Sequence, residues 1–300
     1  MIKFDGRVAI VTGAGNGLGR AYAIQLAARG ARVVVNNRRR ALDAPGDSSA
    51  DRTVAAIRDA GGEAIANWDD VRTPASGAAL VSQALAMWGR LDIVINNAGV
   101  SQHQAFHNIS LEEFREIFDL NFYGSMCLTH AAYAHMRRQS YGRIVASASA
   151  AGLHGLHGLT AYAASKAALI GLMRSLAQEG APRGVYCNTI CPYASTQMTA
   201  AHASPEFAAA MPPDLVAPMV LYLASEQTRL NGRVIVAGKG AFRRAVMIEG
   251  AGLGYERAAD VTPESIAHDI ERIDSIESAQ EYADALASYE HFFKAYRGVA

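Results

Sequence analysis

The sequence predicts an α/β fold: a doubly wound, parallel, seven-stranded sheet with a C-terminal helical extension. Three observations carry this. Strand-length apolar runs alternate with longer helical patterns about seven times. Several of the runs are almost wholly apolar and β-branched, which suits strands covered by helices on both faces. A glycine-rich turn follows the first run and opens a helix, the order of a phosphate-binding βα unit.

The strands are read in chain order as "RVAIVTG" (7–13), "ARVVVNN" (31–37), "EAIAN" (63–67), "LDIVINNAG" (91–99), "GRIVASAS" (142–149), "GVYCNTICP" (184–192) and "GRVIVAG" (232–238). Helical segments between them include 19–30, 76–89 and 110–122. Residues 38–50 form a long polar loop after the second strand. Residues 1–240 are assigned to a dinucleotide-binding catalytic domain. Residues 241–300 are assigned to a helical extension, packed on the same domain or on a partner subunit. In that extension Thr262 is placed as an N-cap, with Pro263 at the first helical position.

The turn "VTGAGNGLGRAYA" (11–23) has TGxxxGxG spacing at Gly13, Gly17 and Gly19. Glycine permits the tight turn and lets the backbone approach a pyrophosphate at the helix N-terminus. The end of the second strand selects the dinucleotide. An acid there would bind the adenosine ribose and repel a 2′-phosphate. This chain instead has Asn36, Asn37 and then Arg38, Arg39 and Arg40. An arginine meets a phosphate with forked, charge-assisted bonds. NADP(H) is therefore preferred, with NAD(H) possible. Asp70 and Val71 in "WDDV" are placed to touch the adenine, or Asp70 caps the next helix. In "NNAG" (96–99) Asn97 braces the sheet edge, while Ala98 and Gly99 leave room for the cofactor.

The chemistry is read at "GLTAYAASKAALIGL" (158–172), where Tyr162 and Lys166 stand one helical turn apart on one face. A free phenol titrates at about 10, and bringing it near 7 requires ~4 kcal/mol of preferential stabilisation of the phenolate. The Lys166 cation and an oxidised nicotinamide are the expected sources. The phenol then exchanges a proton with an alcohol or alkoxide. Ser149, thirteen residues before Tyr162, can hold the substrate oxygen beside it; Ser147 is the competitor. Asn121, in "DLNFYG", is a polar residue inside a helical pattern. It either binds a water linked to Lys166 or marks a backbone kink.

Together these motifs resemble the short-chain dehydrogenases/reductases over nearly residues 1–240. The resemblance implies a Rossmann sheet and a catalytic tetrad of Asn121, Ser149, Tyr162 and Lys166, with Lys166 also on the nicotinamide ribose. It implies cofactor contacts at Gly13, Asn16, Gly17, Leu18, Gly19, Asp70, Val71 and Asn97. It further implies a cytoplasmic homodimer or homotetramer. A narrower resemblance is carried by "VTGAGNGLGRAYAIQLAARGARVVVNN", "CNTICPYASTQMT", "VAPMVLYLASE" and "VTPESIAHDIERIDS". These look like the dehydrogenase region of the peroxisomal multifunctional enzymes of type 2. That group oxidises (3R)-hydroxyacyl-CoA to 3-ketoacyl-CoA. It has an aspartate where this chain has Asn37. Tyr193 stands where the broader family usually has glycine, and no peroxisomal C-terminal tripeptide is present.

A formal net charge of zero disfavours nucleic acid as a partner, and no apolar run is long enough to span a bilayer. Three cysteines without paired spacing read as reduced thiols. No metal site is expected: Cys187 and Cys191 lack a CxxC or histidine partner, and the scattered histidines lack acids. Substrate selection is placed in 151–162, with His154 and His157, and in a lid at 193–213, where Met198, Phe207 and Met211 suit an apolar chain. The expected substrate is a small-molecule alcohol or ketone, first a 3-hydroxyacyl thioester such as an acyl-CoA. Steroid, polyol or cyclic alcohols are alternatives. A dinucleotide-sensing binding protein is the reading from a different class, and it would tolerate loss of Tyr162 and Lys166.

Overall fold

The computed structural model describes residues 1–39, 43–44, 46–198 and 204–296. Its strands are β1 (Val8–Thr12), β2 (Arg32–Asn36), β3 (Glu63–Asn67), β4 (Ile93–Asn96), β5 (Gly142–Ser147), β6 (Val185–Pro192), β7 (Val234–Gly238) and β8 (Ala241–Ala245). They form one sheet in the order β3-β2-β1-β4-β5-β6-β7-β8. The pairs from β3 across to β7 are parallel, with registers such as Val11↔Val35 and Val11↔Ile95. The winding reverses between β1 and β4. At such a switch point the loops at the strands' carboxyl ends part and leave a crevice.

The helices are α1 (Gly17–Ala27), α2 (Ser49–Asp59), α3 (Pro74–Trp88), α4 (Leu111–Phe118), α5 (Gly124–Arg138), α6 (Ala150–His154), α7 (Thr160–Gly180), α8 (Pro205–Ala210), α9 (Ala217–Ala224), α10 (Pro263–Ile273) and α11 (Ala285–Ala295). Every residue of β1 is buried. Ala9 and Val11 pack with Tyr22 and Leu26 of α1, Val54 of α2 and Val220 of α9. Val8 and Ile10 pack on the opposite face with Leu80 of α3, Leu128 of α5 and Leu169 of α7. The continuous apolar runs follow from this: both faces of each central strand are covered, so neither can be polar.

The sheet has one strand more than the seven expected. Lys239 and Gly240 have φ of 53° and 72°. Two successive left-handed residues make a turn whose twist matches the flanking strands, so the chain returns beside β7 as β8. Its residues Ala241 to Arg244 are exposed, and Arg243 and Arg244 put charge on this edge.

The chain divides into two compact units, Met1–Arg244 and Ala245–Ala300. β8 thus belongs almost wholly to the first, and the extension starts a few residues later than assigned. Within the second unit α10 begins as read, with Thr262 accepting a bond from the Ser265 N–H and Pro263 in the first turn. A lone antiparallel bridge joins Glu249 and Gln280. Among the described residues no helix is long and apolar enough to cross a membrane.

Candidate active site

A cleft of about 500 Å³ opens at the switch point. Its phosphate end is the turn after β1. Gly13 and Gly17 have φ of 62° and 52°, a region that side chains with a Cβ disfavour. Asn16, the residue before α1, makes no side-chain cap bond, so its side chain does not occupy the first-turn N–H groups. Gly13, Asn16, Gly17 and Leu18 all line the cleft. Gly19 does not; it lies behind the turn. A methyl there would stand 2.4 Å from the Gly13 carbonyl and 2.5 Å from Asn97 Nδ2. Its role is the close packing of α1 under the turn. Gly19→Ala should therefore cost about 1–3 kcal/mol through overpacking and displace the phosphate-binding backbone. Thermal unfolding and a dinucleotide fluorescence titration check this; wild-type stability and affinity together would contradict it.

Asn97 braces three strand ends. Its Nδ2 donates to the carbonyls of Thr12 at 3.1 Å and Gly13 at 3.4 Å, and its Oδ1 accepts from Ser147 Oγ at 3.3 Å. Thr12 Oγ1 accepts from the N–H groups of Asn97 and Ala98, both at 3.0 Å. The bracing expected of Asn97 is thus visible bond by bond.

At the other flank Asn37, Arg38, Asp70 and Val71 line the cleft. Asn37 Nδ2 donates to Ser49 Oγ at 2.9 Å, which ties β2 to the start of α2. Arg38 is exposed and reaches Asp70 at 3.4 Å, while Arg72 grips the same carboxylate at 2.6 Å. Arg72, with Arg38 beyond it, holds the Asp70 carboxyl below its ordinary range, against the opposing push of burial. Asp70 does not cap α3; Thr73 does, accepting from the Ser76 N–H. Two guanidinium groups share the Asp70 carboxylate, while Asp69 also lines this flank and Glu116 and Asp119 face Arg72. Arg39 stacks on the Trp68 ring at 4.6 Å. Arg40 lies outside the described residues.

Tyr162 and Lys166 occupy the chemical end, one turn apart on α7 as the spacing requires. Lys166 is buried and its Nζ donates to the Ser147 carbonyl at 2.8 Å. Burial draws the ammonium down to about 8. Nζ lies 5.7 Å from the centroid of the Tyr162 ring. The expected acidic phenol is not produced by the chain's own groups. Burial pushes Tyr162 up, and the Ser149 hydroxyl facing it offsets only part of this. Lys166 gives one of its three protons to a carbonyl, and the causes that lead the balance at the phenol are its burial and Ser149. Ser149 is the N-cap of α6, accepting from the Ala151 N–H at 3.1 Å, rather than the last residue of β5. Its hydroxyl faces that of Tyr162, and Ser147 lines the cleft wall nearby.

Asn121 is fully buried in a five-residue π-helical stretch, Asp119–Tyr123, between α4 and α5. Its Nδ2 donates to the Val100 carbonyl and Ser165 Oγ, both at 3.0 Å, and its Oδ1 accepts from the Val100 N–H at 2.8 Å. The kink is therefore real, and the side chain pins the loop after β4. A methyl at Gly99 would stand 2.9 Å from Asn121 Oδ1 and 3.3 Å from Lys166 Nζ. Both polar atoms look onto the space that this glycine leaves.

Of the substrate-wall residues, Met198 lines the cleft. His154 and His157 are exposed and stand outside its lining. Met211 approaches Gly238 from the lid, while the side chain of Phe207 lies outside the described residues. Val100, Ser101 and Leu120 form cleft wall that the sequence reading missed. They follow or precede motif residues, but nothing in their own spacing marks them. Among the described residues no three histidine, cysteine or acidic side chains converge to hold a metal.

A parallel sheet with a glycine turn at its switch point and a tyrosine–lysine pair across the cleft defines a dinucleotide-dependent oxidoreductase. Residues 7–206 match the short chain dehydrogenase family, and the chain belongs to it. Enzymes of this family use NAD(H) or NADP(H) and act on CH–OH groups. Within the family, the chain is 40% identical over 275 residues to the peroxisomal multifunctional enzyme type 2 of Mus musculus, covering 91% of this chain and 37% of that protein. It is 39% identical over 247 residues to the hydroxyacyl-CoA dehydrogenase ChsB1 of Mycobacterium tuberculosis, covering 77% of each. The structure of full-length peroxisomal multifunctional enzyme type 2 from Drosophila melanogaster superposes with a TM-score of 0.83 at 33% identity, over 98% of this chain and 49% of that one. The chain thus spans 37% of the mouse protein and 49% of the Drosophila one.

Proposed function

We propose that this chain interconverts a 3-hydroxyacyl thioester and its 3-keto form, with NADP(H) preferred over NAD(H). The observation that carries the reading is the position of Tyr162 and Lys166 at one end of a cleft whose other end is the glycine turn. The substrate class is supported by the hydroxyacyl-CoA dehydrogenase named among its relatives.

The residues fit a dinucleotide. The first-turn N–H groups of α1 would meet the pyrophosphate, Asp70 and Val71 the adenine, and Lys166 the nicotinamide ribose. When bound, the nicotinamide supplies or accepts the hydride. Tyr162 passes the proton: its phenol protonates the developing alkoxide in reduction, and its phenolate takes the alcohol proton in oxidation. Ser149 donates to the substrate oxygen beside it. The positive charge of the oxidised ring adds what the protein lacks to stabilise the phenolate. Proton exchange with solvent runs past Gly99, where a water can join Asn121 Oδ1 to Lys166 Nζ. Met198 contacts the acyl chain.

Arg38, exposed at this flank, favours a 2′-phosphate over a free ribose hydroxyl. Arg38→Ala should lower the NADPH-to-NADH affinity ratio by about tenfold, the worth of one charged hydrogen bond. Asn37→Asp should lower it further, because a carboxylate there repels the phosphate. A fluorescence titration with both reduced dinucleotides reads the ratio. Tighter NADH binding in the parent chain, unchanged in Arg38→Ala, would overturn the cofactor preference.

A further inference from the structure

Ser147 lines the cleft with a hydroxyl that the proposed chemistry does not use.

The hydrogen-bond inventory gives the chain a direction. Asn97 Nδ2 faces the Thr12 and Gly13 carbonyls, which only a donor can satisfy. Asn97 Oδ1 is then turned to Ser147, so the Ser147 hydroxyl donates its proton there. The order is Ser147 to Asn97 to the glycine turn. The same residue, through its backbone carbonyl, holds Lys166 Nζ at 2.8 Å. Ser147 thus joins two parts of the site that no covalent neighbourhood links: the phosphate-binding turn after β1 and the ammonium on α7.

We infer that Ser147 is a positioning residue that sets the separation between the dinucleotide's phosphates and Lys166. This rests on the reading of Lys166 and the glycine turn as cofactor contacts. It gives Ser147 a role different from that of Ser149, with which its position in the sequence makes it compete. Loss of the hydroxyl frees the end of β5 and moves the carbonyl that aims Lys166. A small misplacement of such a group is enough to slow hydride transfer without altering the carbonyl substrate's own contacts.

The test compares Ser147→Ala, Ser147→Thr and Tyr162→Phe in the full chain, with acetoacetyl-CoA as substrate. Ser147→Ala should lower kcat by about tenfold and weaken dinucleotide binding several-fold, with KM for the thioester within about twofold. Ser147→Thr keeps the hydroxyl and should recover most of the turnover. A role in folding alone would lower the melting temperature and leave this kcat-against-KM split unmoved. Ser147→Ala turning over at the wild-type rate would overturn the inference, as would Ser147→Thr being as slow as Ser147→Ala. Tyr162→Phe separates the two levels: if it retains full turnover, the underlying reading of the site fails instead.

Discussion

Tyr162→Phe is expected to reduce kcat/KM by about a thousandfold, ~4 kcal/mol of transition-state stabilisation, while leaving dinucleotide affinity nearly unchanged. The substitution removes one oxygen and keeps the ring that packs in the cleft wall. The side chain is half-buried, and Ser149 faces the phenol. No other described acid lines the chemical end: Lys166 is committed to a carbonyl, and Cys191 is buried with its thiol pushed up to about 12. Cys191 therefore stays protonated at neutral pH and does not substitute as a base. Steady-state nicotinamide absorbance measures the loss. A variant retaining more than about a tenth of the activity would show that the proton travels by another route.

Lys166→Met is expected to abolish turnover and yet stabilise the fold at neutral pH. The ammonium is buried and drawn from 10.5 to about 8 by desolvation. A lysine depressed in the folded state binds fewer protons there than in the unfolded chain between these two values. Stability therefore rises with pH across that window. Below about 8 both states are charged and the full cost of burial, about 3 kcal/mol, is present. Methionine removes that cost but leaves the Ser147 carbonyl without its donor, so the net gain at pH 7 is about 1–3 kcal/mol. The advantage should shrink as pH rises toward 10. Urea unfolding at the two pH values, wild type against variant, reads the difference. A less stable Lys166→Met at pH 7 would mean that the lysine's bonds outweigh its burial, contrary to the account.

These two residues show how much of the site is legible without coordinates. Tyr162 and Lys166 are local: four residues on one helix fix a shared face, and the structure places them there. The glycine turn is equally local, because Gly13 and Gly17 announce left-handed backbone in their own identities. What could not be read is pairing at a distance. Asn37 looks like a free ribose contact, but Ser49, twelve residues on, holds it. Gly19 looks like part of the phosphate cradle, yet its missing side chain serves Asn97 and the Gly13 carbonyl from behind. The acidity of the phenol follows in sequence from the lysine and the nicotinamide charge, whereas the burial that opposes it and the Ser149 hydroxyl that faces it need three-dimensional placement. β8 had a readable signal in the Lys239–Gly240 turn. Its exposed, arginine-bearing strand does not look like the buried runs that marked the others.

The account's central claim is that the cleft joins hydride transfer at a bound nicotinamide to proton transfer by Tyr162. The most direct measurement mixes the chain with NADPH, or NADH, and acetoacetyl-CoA and follows nicotinamide absorbance. The account predicts loss of reduced dinucleotide in step with formation of the 3-hydroxyacyl thioester. Tight dinucleotide binding with no consumption, for this thioester and for a panel of secondary alcohols and ketones, would contradict it and favour a sensing protein on the same fold.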